Sequence, residues 1–237
     1  MYAREIEGRE FTFGVSGKLI RNVLVMYDRQ TESYWSQLLG EAVEGDLEGT
    51  KLEFLPSWHT TCKQWKEMHP ETQALRKGFG GGRDPYGGYY QSGSAGVIGE
   101  TIHDDRLFTK ELVVGVELDE TTIAYPYRAL NIEPVINDVV GGQDLLITFD
   151  VNSSTGVVFD RKLNDQLLSF ELVDSETLTL ADVETNSTWD GFSGLATSGP
   201  LAGQSLDRIK STAVFWFGWK DFHSDTLVYG VDHGIEG

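Results

Sequence analysis

A chain of 237 residues with 37 acidic against 19 basic side chains carries a formal charge of -18. Such a surface repels nucleic acid and anionic lipid, which makes both poor partners. Six Trp, nine Tyr and twelve Phe beside 27 Gly exclude disorder over most of the length and point to short strands joined by tight turns. The single cysteine, Cys62, excludes an intrachain disulfide and a four-cysteine metal site. No apolar run nears the roughly 20 residues of a membrane span, and Met1-Tyr2-Ala3-Arg4-Glu5 lacks a signal-peptide core. The chain as given reads as soluble and cytoplasmic, with an extracytoplasmic place left open if a leader has been removed. Its acids are scattered through every segment with no Asp-x-Asp-x-Asp loop. That favours a halophilic-type surface kept soluble in high salt over a carboxylate cluster that binds cations.

In chain order, residues 11–15 and 22–27 are apolar or β-branched runs bounded by Gly, Asp or Asn, and predict strands. Trp58, Cys62, Trp65 and His69 fall at i, i+4, i+7 and i+11, one face of a helix that Thr60 or Thr61 caps and Pro70 stops. Segment 76–108 carries Gly78, Gly80, Gly81, Gly82, Gly87 and Gly88 with Tyr86, Tyr89 and Tyr90, and reads as an irregular, glycine-hinged loop. Strands follow at 112–118, 145–150, 166–173 and 178–181. Phe215, Trp219 and Phe222 or His223 then repeat the helical face.

That repetition extends well beyond the helix. A shift of 154 superposes residues 28–72 on 182–226 without a gap. The fifteen identities include Asp28/Asp182, Thr31/Thr185, Ser33/Ser187, Trp35/Trp189, Trp65/Trp219, Lys66/Lys220 and His69/His223, where chance pairing gives about three. A shift of 157 lays Tyr2–Arg9 on Phe159–Gln166 and Phe13 on Phe170. The period is too long for a solenoid, so a duplicated half-domain is expected. In the second copy a strand at 145–150 precedes Phe159, while nothing precedes Tyr2. An N-terminal strand is therefore expected to be missing from the first copy, and strand exchange in a twofold homodimer would fill that gap.

Phe13-Gly14-Val15-Ser16-Gly17-Lys18-Leu19, Leu24–Gln37, His69-Pro70-Glu71-Thr72, Thr185-Asn186-Ser187-Thr188-Trp189-Asp190 and Phe215-Trp216-Phe217-Gly218-Trp219 together resemble domain of unknown function 3179 over nearly the whole chain. The resemblance brings no activity. It implies a Cys-Pro-x-Cys or Cys-Pro-x-Thr stretch just upstream of Tyr2, which this chain lacks.

Cys62 with His59 three residues away has the makings of a nucleophile pair. The shift of 154 puts Cys62 in the slot of Trp216, however, so a buried spacer is expected. His69 and His223 are expected at helix C-termini, binding the last carbonyls, because no third metal ligand accompanies them. Gly14-x-Ser16-Gly17 lacks the frame of a nucleophile elbow, and Gly78–Gly82 lacks the Lys-Ser/Thr ending of a phosphate loop.

What remains is a set unique to the first copy and the central loop: Ser16, Lys18, Tyr27, Arg29, Gln37, Arg83, Tyr86, Tyr89, His103 and Arg106. These would form a pocket for a small anionic or aromatic ligand, unless the three arginines only pair with surface carboxylates. The expected fold is mainly β, with two pseudo-symmetric halves of antiparallel strands and one short Trp-packed helix in each. The first half covers 1–75, the connecting loop and strands 76–143, and the second half 144–237, all in one compact domain. A non-catalytic binding or assembly module with its site between the halves is the first functional reading. The alternative is an enzyme on the first copy and central loop, metal-assisted through His103 or His69; no residue pattern names a cofactor.

Overall fold

Short strands dominate the computed structural model, which describes residues 1–75 and 86–234. The first, β1 (Glu5–Ile6) and β2 (Arg9–Glu10), form a hairpin whose turn residues Glu7 and Gly8 both take positive φ, as a type I′ turn requires. Then β3 (Phe13–Ile20), β4 (Val23–Asp28), β5 (Tyr34–Ser36) and β6 (Glu41–Glu44) make a four-stranded antiparallel meander. Helix α1 (Cys62–Met68) starts at Thr61, whose hydroxyl accepts from the Gln64 amide, and ends at His69. The short helix α2 (Gly87–Gln91) opens the next described stretch.

The middle of the chain builds the largest core. β7 (Leu112–Leu118) and β8 (Thr121–Pro126) lead through helix α3 (Tyr127–Leu130) to β9 (Val135–Val140), β10 (Gln143–Asp150) and β11 (Thr155–Asp160). A second hairpin, β12 (Lys162–Leu163) with β13 (Gln166–Leu167), and a second meander follow. The meander is β14 (Phe170–Asp174), β15 (Thr179–Asp182), β16 (Thr188–Asp190) and β17 (Leu195–Ser198). β18 (Ser211–Phe215), helix α4 (Trp216–Phe222) and β19 (Leu227–Val228) complete it; β18 pairs with β7, and β19 lies parallel to β8.

Strand alternation distributes the apolar side chains. From β10, Leu145, Ile147 and Phe149 enter a cluster with Val114, Val116, Tyr125 and Val158, while Leu146 enters another with Phe159, Phe170, Leu180 and Trp189. Both faces of β10 are buried, so its sequence reads as a continuous apolar run. The core of residues 1–75 is smaller: Trp35, Ala42 and Leu52 with Tyr2, Ile6, Phe13, Met26 and Leu47 around them.

One turn chemistry recurs at four hairpins: an Asp, then Ser or Thr at the third and fifth positions. In each, the third-position hydroxyl donates to the carboxylate and lies 2.7 Å from the fifth-position hydroxyl. The four are Asp28–Thr31–Ser33, Asp150–Ser153–Thr155, Asp174–Thr177–Thr179 and Asp182–Thr185–Ser187. Short polar side chains that bond nearby backbone and hydroxyl groups favour tight turns over ladder pairing. Part of the high acid content is thus structural.

Two of these turns are further tied to a buried indole. Trp35 Nε1 donates to Asp28 at 3.0 Å and Trp189 Nε1 to Asp182 at 2.9 Å. Ser33 and Ser187 hydroxyls accept from the amides of Leu47 and Leu201. Gly45 and Gly199 take positive φ, and a Cβ there would stand 2.8 and 2.6 Å from the Cα of Ser33 and of Ser187; only glycine fits so close an approach. The ladders match as well. Phe13 faces Asp28 as Phe170 faces Asp182, and both meanders shift register beside their tryptophan.

Helices α1 and α4 share a C-cap and internal bonds. Their C-caps His69 and His223 have φ,ψ of −130°, 72° and −129°, 73°. Trp65 donates to Thr72 at 2.8 Å and Trp219 to Thr226 at 2.9 Å, and each histidine ring packs on its tryptophan at 4.2 and 4.1 Å. It is the backbone N–H of each histidine, not its ring, that bonds a terminal carbonyl; the ring is taken up by the indole.

Their surroundings differ. Six residues of α4 are buried and none of α1. Trp219 packs over Gly115 of β7, where a Cβ would stand 2.4 Å from the indole. The Trp216 indole donates to Asp104 O, and the fully buried Lys220 pairs with Glu100 at 2.9 Å. The Asp221 carboxylate accepts from the amides of Thr101 and Ile102. Among the described residues no such cover lies on α1, so Cys62 is exposed and not the buried spacer that its alignment with Trp216 predicts. Burial there is set by the segment packed on the helix, not by the helix's own sequence.

Candidate functional site

Two concave regions deserve comparison, and the charges around them decide between them. The first is a cleft of about 240 Å³ where residues 1–75 meet β7, β11 and β18. Tyr2, Gln37, Phe54, Ser57, Trp58 and His59 line one side, and Val114, Gly156, Ser211, Thr212 and Ala213 the other. The Tyr2 hydroxyl donates to Leu38 O at 2.7 Å; burial, with Glu117 nearby, pushes it up to about 12. It therefore stays a neutral donor at physiological pH.

Arg208 stands against this wall. Its Nη2 donates to Ser57 O at 3.3 Å, and its guanidinium lies 5.3 Å from the centre of the Trp58 ring. Among the described residues no carboxylate pairs with it, and its Nε is buried without a hydrogen-bond partner. Burial lowers its affinity for a proton without overcoming the high ordinary value of a guanidinium. A half-buried cation without a counter-ion is unusual, because buried charges are ordinarily paired. The neighbouring wall is also polar. Lys210 pairs with Glu117 at 3.1 Å, and the buried Nε2 of His223 has no partner. Burial, aided by Lys210 and opposed by Glu117, keeps the His223 imidazole below its ordinary range.

The second region is a broader groove of about 630 Å³ beside α2, lined by Gln91, Ser92, Phe108, Lys110, Glu111, Arg128 and Asn131. Its cations are already engaged. Lys110 donates to Tyr89 O and to both oxygens of Ser92, and sits 3.7 Å from the centre of the Tyr89 ring; Arg128 pairs with Glu111 at 3.2 Å.

The residues expected to form one pocket fall at several places. Gln37 lines the junction cleft. Ser16 donates to Val25 O and accepts from the Lys18 amide, holding the β3 bulge around Gly17. Tyr27 packs under Gly14 and near Arg29, which donates to Phe13 O, while Lys18 covers the Tyr34 ring. Tyr86 and Tyr89 belong to the α2 region, each in ring contact with Tyr90. His103 pairs with Glu100 at 3.1 Å. Arg106 joins Asp104 and Asp232 over the Trp216 ring. Arg83 lies outside the described residues.

No hydrogen bond links His59 to Cys62. Among the described residues no group of three or more His, Cys, Asp or Glu is placed to hold a metal ion, and no helix is long and apolar enough to cross a membrane. Arg208 lies outside the first 75 residues and the central loop, where the sequence places the candidate residues. The signal was available: at the same shift of 154, Arg208 faces Phe54, a cation in place of a ring.

A family model described as Protein of unknown function (DUF3179) matches residues 1–226. No curated protein and no solved structure matches the chain.

Proposed function

The chain belongs to the DUF3179 family, and within that frame we propose that it is a binding module whose junction cleft takes a small anion carrying a flat apolar group. The observation that carries this reading is the unpaired Arg208 guanidinium beside Trp58. The cation supplies a counter-charge and a bidentate donor fork, and the aromatic wall of Trp58, Phe54 and Tyr2 supplies a stacking face. At about 240 Å³ the cleft is below the roughly 300–1,000 Å³ of sites for drug-sized molecules, which restricts the occupant to a small one. In a chain of charge -18 an unneutralised arginine is also a local attractor for anions.

The reading includes residues 1–75 and 144–237 as copies of one unit, supported by the matching turns, registers and helix C-caps. Gln37, Trp58 and His59 then face Gly191, Thr212 and Ala213 at the same shift, so much of the cleft's chemistry comes from positions where the copies differ. A single site in a duplicated fold is built that way.

Titration with benzoate and with chemically similar aromatic carboxylates, followed by tryptophan fluorescence and thermal unfolding, tests it. An occupant present at 100 times its Kd adds about 2.7 kcal/mol to stability. Arg208→Met is expected to abolish both signals while preserving the side-chain stem over Trp58, and Trp58→Ala to weaken binding about tenfold or more. Equal responses from the wild type and Arg208→Met across the panel would sink the assignment.

A further inference from the structure

Helices α1 and α4 agree in length, C-cap, Trp–Thr bond and Trp–His packing, yet α4 is covered and α1, among the described residues, is bare. What covers α4 therefore shows what α1 is shaped to receive. Three elements of that cover have counterparts waiting on α1. β18 pairs antiparallel with β7; among the described residues no strand pairs with the matching stretch 57–61. Trp219 packs on Gly115; Trp65 is 37% exposed, a large aromatic left in solvent where its counterpart is almost fully buried. Lys220 and Asp221 bind Glu100 and the amides of Thr101 and Ile102; Lys66 and Glu67 keep an ammonium and a carboxylate at those two positions, both exposed.

We propose that α1 and residues 57–61 form a docking surface for an extended segment of a partner polypeptide. The segment adds as an antiparallel strand, with a glycine under Trp65 and a carboxylate on Lys66. This is β-strand addition, in which the backbone ladder supplies affinity. The glycine requirement and the Lys66 and Glu67 contacts supply specificity. The mixed charge of the surface (Lys63, Lys66 and Glu67) calls for a polar segment with an acid at one position, not for a purely apolar one. The inference rests on the matched geometry of the two helices; residues 57–59 also form part of the junction cleft's wall, so the two surfaces adjoin.

Cys62, the single cysteine, stands at the position of the covered Trp216 and reports on occupancy. The probe is a synthetic peptide of residues 100–118, the segment that covers α4, added to the full chain while the rate of Cys62 alkylation by a maleimide is measured. Saturating peptide is expected to slow alkylation about tenfold by mass-action protection. A peptide carrying Gly115→Val is expected to lose that effect, as is the protein variant Lys66→Glu. Thermal unfolding of Lys66→Glu, expected to match the wild type, separates lost docking from lost folding. Unchanged alkylation at millimolar peptide overturns the proposal, as does equal protection by the Gly115→Val peptide. A stable dimer by light scattering that Trp65→Ala dissociates also overturns it, because a second copy would then be the occupant.

Discussion

Asp182→Ala is expected to lower the stability of the protein by about 3–5 kcal/mol, a large share of the 5–15 kcal/mol typical of a folded domain. The carboxylate is 1% exposed and receives the Trp189 indole N–H, the Thr185 hydroxyl and the amides of Thr185 and Ser187. Removing it leaves those donors buried without an acceptor, and the full desolvation penalty appears. For a chain of this size the loss corresponds to a fall in Tm of roughly 10 °C, readable by differential scanning fluorimetry.

The same residue predicts a pH dependence. Burial alone would raise its pKa, but the bonds from Trp189, Thr185 and Ser187 outweigh that and hold the carboxyl below its ordinary value. Asp28 behaves likewise through Trp35, Thr31 and Gln30. A group with a depressed folded pKa contributes stability that is fully present above the unfolded value of about 3.9 and is lost as pH falls through the folded value. Asp182→Asn removes that titration, so its stability curve is expected to be flatter than the wild type's below about pH 4. A wild-type slope retained in the variant would assign the acid transition to other groups.

Glu100→Ala is the second large effect, and Lys66→Ala its contrast. Lys220 is 0% exposed and relies on Glu100, 28% exposed, and on Ile102 O. Without Glu100 the ammonium stays buried and uncompensated, at a cost of about 2–4 kcal/mol; the partial exposure of Glu100 places this toward the low end for a buried pair. Lys66 likewise stands between a tryptophan and an acid at the same place on its helix, but it is exposed. Lys66→Ala is therefore expected to change stability by no more than about 0.5 kcal/mol. Chemical denaturation of the two variants side by side measures the difference; equal losses would contradict the burial argument.

Local chemistry was legible in the sequence to different depths. The strand at 112–118 agrees with β7 at both ends because both faces are apolar and Glu111 and Asp119 bound it. Residues 11–15 understate β3, which runs on to Ile20 through a bulge. Ser16 is half-buried there and Gly17, Lys18 and Leu19 are exposed in succession, without alternation. Residues 166–173 read as one strand but are the end of a hairpin and the start of a meander, broken where the Leu168 amide turns to Arg161 O. Thr61 caps α1 with its hydroxyl as expected, whereas His69 closes the helix through its backbone N–H and not its imidazole. Burial was less legible, being a property of what packs on a residue: Cys62 follows the pattern of Trp216 and still faces solvent. The junction cleft was not legible from local pattern, because its walls come from segments more than 50 residues apart in the chain.

The unequal cover of α1 and α4 also has a meaning in time. A helix of two turns has little stability of its own, so its amides are protected only as far as its packing holds. The amides of α4 are expected to open only with the central core, whereas those of α1 are expected to open by fraying alone, close to the zero of the local-stability scale. Two helices with one local pattern are thus expected to run on two clocks. Hydrogen exchange is expected to find the covered helix among the slowest amides and the bare one among the fastest.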